Sequence, residues 1–525
     1  MLCACFHKKM TDTIQNNKRI AKNTLLLYIR MLLLMAINLY TSRVILKALG
    51  VEDFGIYNVV GGVVSMFSII SSSLSTAISR FLTFELGKGE KEKLKNIFSA
   101  SVTIQLLLSI IIVVLVELIG VWFLNTKMSI PTQRILAANW VLQFSLLTFI
   151  INLISVPYNA AIIAHEKMSA FAYVSIIEGI GKLCIAFLIM ISPLDKLIFY
   201  AILMCILAIC VRFIYSYYCK KNFEECIYHF RWDKITLNKI FGFAGWNFIG
   251  CCSAILRDQG VNILLNIFYG PIVNTARGIA FQVNSAINGF VTNFMTALNP
   301  QITKNYASGD YNYMFTLIYK GARFSFYLLL LLSLPVLWNT NYILDLWLGK
   351  VPNYTVSFVR LTIIFAMCES VSIPLITAMM ATGKIRNYQI VVGGLQMLNF
   401  PLSYIALHYG YSPEIAFIIM IVISVMCLIA RLIMLRKMIN LIINDYIRKV
   451  ILNVIIVSLI TNILPFLISF KMYNTFSFFC YMTLTCIISS LGAIIFIGCN
   501  KSERKLLYES IIKIKNKYFH DKNRQ

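Results

Sequence analysis

The residues of this chain best able to do chemistry are charges set inside long apolar runs. Arg30 lies well inside the first run, with Arg43 and Lys47 one turn apart near its far end. Arg257 and Asp258 fall in the middle of the seventh run, and Arg277 lies in the eighth. Glu117, Glu178, Lys182 and Glu369 complete the set. A charge in hydrocarbon costs about 2.5–3.5 kcal/mol on insertion scales, so a retained one faces a cavity or a partner. Guanidinium groups shielded from water suit a phosphate-bearing anion, which they grip with several donors without losing charge. Arg30 and Arg257 lead as cargo contacts, followed by Arg277 and Arg43. For Arg43 and Lys47 the competing reading is snorkelling to the outer headgroups. Asp258, Glu369 and Glu117 are candidates for binding a coupled H+ or Na+.

Polar spacing adds to this set. Glu178 and Lys182 stand at i,i+4 and can neutralise each other on one helix face. Arg257 and Asp258 are adjacent, so on a regular helix they are expected to diverge rather than pair. Asp258, Asn262 and Asn266 recur every four residues, while Arg277, Asn284 and Asn288 share a face of the next helix. Ser65, Ser68, Ser72, Ser75 and Ser79 form a third stripe. Such stripes serve either close helix packing or a wet cavity wall that hydrogen-bonds a polar cargo.

The elements holding these residues follow from composition. Of 525 residues, 59% are hydrophobic and 13% charged, and mean hydropathy is +0.76. A soluble domain carries roughly 25% charged residues. Lipid must therefore be the main solvent. Fourteen stretches reach the roughly 20 residues needed to span a bilayer. They run near 23–48, 54–79, 97–124, 135–163, 168–191, 197–219, 240–268, 271–298, 317–338, 357–381, 388–408, 413–434, 447–470 and 476–498.

The net charge of +25 suggests nucleic acid only until the cations are placed. Counted in alternate connections and the helix ends that flank them, 34 Lys/Arg fall on the side of the N-terminus and six on the other. That asymmetry puts both termini in the cytoplasm and removes the case for nucleic acid. The basic tail from Lys501 to Arg524 reads as an amphipathic helix lying on the anionic inner leaflet. The 14 cysteines are scattered with no CxxC pair, so neither a zinc site nor a disulfide framework is indicated. No Walker A sequence occurs, and no cofactor is expected.

The chain also repeats itself. At an offset of 220, Gly50, Val63, Ser65, Thr76-Ala77, Thr83 and Gly89-Glu90 meet Gly270, Val283, Ser285, Thr296-Ala297, Thr303 and Gly309-Asp310. At 217, Ser155, Pro157, Ala161, Ala164 and Lys167 meet Ser372, Pro374, Ala378, Ala381 and Lys384. Two six-helix copies in the same orientation are a known transporter plan. The expected layout is an N-terminal lobe (1–219), a C-terminal lobe (220–438), two further helices (439–498) and the tail (499–525).

Gly260-Val261-Asn262 through Asn266, Gly270-Pro271, Asn274, Ala276-Arg277-Gly278 and Asn299-Pro300-Gln301 resemble the seventh and eighth helices of bacterial polysaccharide flippases. Asn23-Thr24, Ser42-Arg43, Leu49-Gly50, Asp53-Phe54-Gly55 and Tyr57 are similar to that family's opening. The superfamily also holds the multidrug and toxin extrusion antiporters. The resemblance implies two lobes forming a V, a cationic central cavity and alternating access. The implied cargo is an undecaprenyl-pyrophosphate-linked repeat unit of O-antigen, capsule or a similar glycan, moved to the outer leaflet of a bacterial inner membrane. A glycan polymerase is a candidate partner.

Three rivals stand beside this expectation. A multidrug antiporter would need an acidic cavity, and the first helix offers Arg30 without a carboxylate. A membrane polymerase, ligase or glycosyltransferase would need a large outer loop or a DxD metal-nucleotide motif, and the sequence holds neither. A lipid II flippase differs in cargo alone.

Overall fold

The computed structural model describes residues 22–38, 40–41, 44–45, 47–50, 53, 56–57, 60–61, 67–126, 130–193, 195–229, 233–269, 271–348, 351–469 and 475–505. Every regular element among them is helical. Eleven of these helices are long and apolar enough to cross a membrane. The outward faces are apolar too: in the helix Lys91–Thr126, Leu118, Ile119 and Trp122 are all more than half exposed. Such a face is stable only against lipid, with the backbone bonded internally by the helix. The chain is an all-α, multi-pass integral membrane protein.

Three of the fourteen expected stretches are not among the eleven. The first two fall partly on residues outside the described set. The third, Pro271–Ala307, has 37 residues, but Asn274, Arg277, Gln282, Asn284 and Asn288 lower its apolar character. The same residues that raise its chemical interest hide it from a hydropathy count. The basic tail beyond Lys505 also lies outside the described residues.

Five helices hold most of the sites below: α1 (Ser68–Lys88), α2 (Ile135–Ala164), α3 (Leu237–Tyr269), α4 (Pro271–Ala307) and α5 (Thr355–Thr382). Their ends carry the internal repeat into backbone geometry. Past α1 and α4, Gly89 and Gly309 take φ of 77° and 79°, and these positions are 220 apart. Past α2 and α5, Glu166 and Gly383 take φ of 60° and 75°, and they are 217 apart. Pro157 and Pro374 sit inside α2 and α5 at the same offset. A left-handed residue stops a helix by turning the chain, and glycine does so without a Cβ penalty.

The structure divides into two compact units. The first comprises Met1–Ala254, Thr296–Met314 and Thr377–Gly393. Among its described residues, one apolar core gathers Val60, Ile112, Val116, Ala138, Val141, Leu142 and Leu197. The second comprises Ile255–Met295, Phe315–Ile376 and Gly394–Gln525. In the second, the rings of Phe358 and Phe417 pack at a tilt, 4.5 Å apart, and are fully buried.

Candidate functional site

Most of the sequence-selected site residues lie in the second unit, around a break in α3. Leu256–Gly260 is a π-helical turn, with one more residue per turn than the α-helix around it. This corrects the expectation that Arg257 and Asp258 diverge. The Arg257 guanidinium folds back along its own helix, donating from Nε to Asp258 Oδ1 (2.9 Å) and from the terminal nitrogen to Oδ2 (3.2 Å). The wider turn and the length of the arginine together close a pair that a regular helix would separate. Phe365 covers the guanidinium at 5.3 Å.

Arg277 on α4 joins this cluster through the backbone. Its Nη2 donates to the Asp258 carbonyl at 2.7 Å, and the group lies over Phe281 at 4.3 Å. Its Nε is buried without a hydrogen-bond partner. Asn274, one turn before Arg277, donates to the Asn262 carbonyl (2.8 Å) and to Asn262 Oδ1 (2.9 Å). Asn288 donates to Asn284 Oδ1 at 2.8 Å. The cluster therefore sets two arginines against one carboxylate, with paired amides on either side. Asn266 is on α3, but its side chain is outside the described residues. Sequence spacing did not single out Asn274 as a ligand; its cross-helix amide pair depends on tertiary packing.

Glu369, on α5, is also occupied. It accepts from Ser424 Oγ at 2.6 Å and faces the fully buried Arg431 at 3.8 Å. Arg431 and Arg323 entered the charge count as helix-end charges beside connections, and the structure buries both inside their helices. Arg431 lies within the helix Ile415–Ile439, and Arg323 within Tyr311–Trp338. Arg323 is buried between the Gly498 carbonyl (2.9 Å) and Glu503 (2.8 Å). Their signal was present as single arginines close to an apolar run, but at its edge the sequence cannot tell a buried charge from a loop charge.

In the first unit, Arg30 is half-buried, with its guanidinium 4.3 Å from the ring centre of Phe171 and Nε buried without a hydrogen-bond partner. Arg43 lies outside the described residues. Glu178 and Lys182 pair at 2.7 Å, as their spacing suggested. Glu117 lies in another π-helical turn, Val116–Gly120, exposed beside Leu118 and Ile119. In the serine stripe, Ser65 and the Ser68 side chain lie outside the described residues, and Ser72 is exposed. Ser73, outside the stripe, also ties α1 to α3, donating to the Ala244 carbonyl at 2.7 Å.

Two contacts near the repeat-related turns were not foreseen. Arg80 of α1 donates to the last carbonyls of α5, Met380 (3.2 Å) and Ala381 (2.7 Å). Glu166, after α2, receives Lys304 (2.6 Å) and Gln301 (2.5 Å) of α4. Between them, a Cβ on Gly87 of α1 would meet Lys304 O and the Ala307 Cβ at 2.8 Å, so glycine permits that close helix approach. Among the described residues, no group of three His, Cys, Asp or Glu could hold a metal ion.

Comparison with known proteins places this geometry. Residues 20–306 match the family model described as "Polysaccharide biosynthesis protein". An uncharacterized membrane protein, EpsK of Bacillus subtilis (strain 168), is 22% identical over 326 residues, covering 61% of this chain and 63% of that protein. The match thus spans less than two thirds of that relative's length. Among solved structures, an outward-facing multidrug resistance MATE family transporter of the MOP superfamily superposes with TM-score 0.70. It is 13% identical, over 80% of this chain and 95% of the other. A MOP superfamily transporter from Pyrococcus furiosus Vc1 (DSM3638), associated with a binding pocket of reverse polarity, gives 0.67 at 12% identity, over 80% and 95%. These identities speak for fold, and the family model for kinship. The chain belongs to the polysaccharide biosynthesis protein family and has the fold of the MOP superfamily.

Proposed function

We propose that this protein is a flippase that moves undecaprenyl-pyrophosphate-linked oligosaccharide from the cytoplasmic to the outer leaflet. The observation that carries the reading is the surplus of guanidinium in the α3–α4 cluster. Asp258 is already satisfied by Arg257, and Arg277 brings a second buried cation with an unused donor. A pyrophosphate entering such a site would gain charge-assisted hydrogen bonds. The adjoining amides of Asn262, Asn274, Asn284 and Asn288 would meet sugar hydroxyls. Arg30, and Arg43 beside it in sequence, would supply further cations from the N-terminal lobe. Family membership supports a glycan context, and the MOP fold supports a transporter.

In this reading the lobes 1–219 and 220–438 alternate access, with 439–498 as two added helices and both termini in the cytoplasm. The membrane is the bacterial inner membrane, and a glycan polymerase receives the product. An inside-negative potential favours export of an anion by about 2.3 kcal/mol per charge per 100 mV. A coupled H+ or Na+ would act through Asp258 or Glu369, which lie near arginines, rather than through the lipid-facing Glu117. The rival cation antiporter would need unpaired acid, and the pairing of Asp258 with Arg257 and of Glu369 with Arg431 argues against it.

The test is export of surface glycan by cells relying on Arg277→Ala or Arg277→Lys. Membrane levels of the protein are measured in parallel. Loss of surface glycan with accumulated lipid-linked repeat units in the alanine variant, and partial export in the lysine variant, is expected. Full export by Arg277→Ala would sink the assigned role.

A further inference from the structure

The first unit contains a cavity of about 820 Å³ that none of the residues selected for cargo binding touches. Six cations line it: Arg80, Lys88, Lys93, Lys239, Lys384 and Arg386. Among the described lining residues, two carboxylates stand against them, Glu85 and Asp233. Arg80 is spent on the α5 carbonyls, and Lys93 pairs with Glu90. Among the described residues, no carboxylate pairs with Lys239, Lys384 or Arg386.

The rest of the wall is aromatic. Lys88 lies over Phe84 at 4.8 Å and Arg386 over Trp246 at 5.5 Å, so ring faces hold these cations in place while their donors stay open. The volume falls in the range of small-molecule sites, roughly 300–1,000 Å³. Its depth points to a particular source of anions. The membrane-spanning helix Lys91–Thr126 begins at this wall, and Lys93, Asn96 and Ile97 of its first turns line the cavity. Cations mixed with Trp and Phe at the start of a span mark the headgroup layer. The charge count assigns this face to the cytoplasm.

We infer that this basin is a binding site for the phosphate or pyrophosphate headgroup of an inner-leaflet lipid, separate from the α3–α4 cluster. Lys239, Lys384 and Arg386 supply the donors, and the aromatic wall accepts the glycerol or prenyl portion next to the phosphate. Arg80 fixes the floor by holding the turn that carries Gly383 and Lys384. Gly383 makes room for it: a Cβ there would stand 2.6 Å from Arg80 Nη2. The inference does not depend on what the protein transports.

The experiment uses the full purified chain in two arms. Inorganic pyrophosphate is titrated by equilibrium dialysis on protein in phosphatidylcholine nanodiscs. Phosphatidylglycerol retained by the protein from detergent micelles doped with phosphatidylcholine and phosphatidylglycerol is counted by native mass spectrometry. The triple variant K239Q/K384Q/R386Q removes three exposed cations, and K239R/K384R/R386K keeps the charge. R436Q/K437Q neutralises a different basic surface. The expected result is saturable binding that weakens at least tenfold in the neutral triple variant and persists in the other two. Binding in the pyrophosphate arm supports the site with the phosphate itself as the determinant. Binding confined to the lipid arm supports it with the whole headgroup required. Equal binding by wild type and the neutral triple variant, or none in either arm, overturns the inference.

Discussion

The Arg80 and Glu166 contacts occupy related places in the internal repeat and solve the same problem with opposite chemistry. In one, a helix supplies a cation: Arg80 of α1 grips the carbonyls of Met380 and Ala381 and lies 4.6 Å from the ring centres of Phe81 and Phe84. In the other, the turn supplies an anion: Glu166 receives Lys304 and Gln301 of α4. At the repeat offsets, Phe81 and Phe84 correspond to Gln301 and Lys304, and Gly383 corresponds to Glu166. The first contact is a charge meeting backbone dipoles, and a glycine clears the space. The second is a true ion pair with a carboxylate that is 1% exposed. A duplicated backbone therefore keeps its turns and helix ends while the side chains that join them diverge. The electrostatics diverge as well, because the Glu166 contact joins two opposite charges whereas the Arg80 contact joins one charge to backbone dipoles.

Breaking the Glu166 contact should have the largest effect. Lys304→Ala leaves the buried carboxylate with Gln301 as its described side-chain donor, and losing one partner of a buried pair costs about 3–5 kcal/mol. A large fall in the thermal midpoint of the purified protein is expected. Adding Glu166→Gln should recover much of the loss, and a midpoint unmoved by Lys304→Ala would show that the pair is not structural. Next comes Gly383→Ala. Its φ of 75° costs an L-residue about 1–2 kcal/mol, and the new Cβ also displaces the guanidinium. A midpoint equal to wild type would contradict the described packing.

Arg80→Lys should do less, about 1–2 kcal/mol, since a lysine keeps the charge and one bond but not the planar fork. If Arg80→Lys instead cost more than Lys304→Ala, the ranking of the two contacts would be reversed. The smallest effect belongs to a pair outside both contacts. Glu178→Gln removes a partly exposed i,i+4 pair worth at most about 0.5 kcal/mol. A loss above that, read in the same unfolding assay, would mean that Glu178 also serves Arg30.

The sequence made the repeat legible because its marks are local. A glycine or a left-handed turn at Gly89, Gly309 and Gly383, and a proline inside α2 and α5, act through their own backbone. Apolar run length likewise found most of the membrane helices. What it could not find depends on departures from regular geometry or on partners distant in the chain. The π-helical turn in α3 reversed the reading of Arg257 and Asp258, because a single inserted residue changes where side chains point. Arg80, Arg323 and Arg431 were tallied with the charges of connections and helix ends, yet each has partners in distant segments. Glu166 has no periodic companion at all; its meaning comes from α4, more than a hundred residues away. Arg277 and the asparagines of α3 and α4 were visible because polar residues at helical spacing stand out from an apolar background.

The central claim is that the interior cations serve an anionic glycan-lipid cargo. Its most direct measurement is the leaflet distribution of undecaprenyl-linked repeat units in cells depleted of this protein, read together with surface glycan. The account predicts loss of surface glycan, with repeat units stranded on the cytoplasmic leaflet and released when the protein is restored. Unchanged glycan and an even distribution of repeat units after depletion would contradict it, and accumulation of toxic organic cations in those cells would point to the antiporter instead.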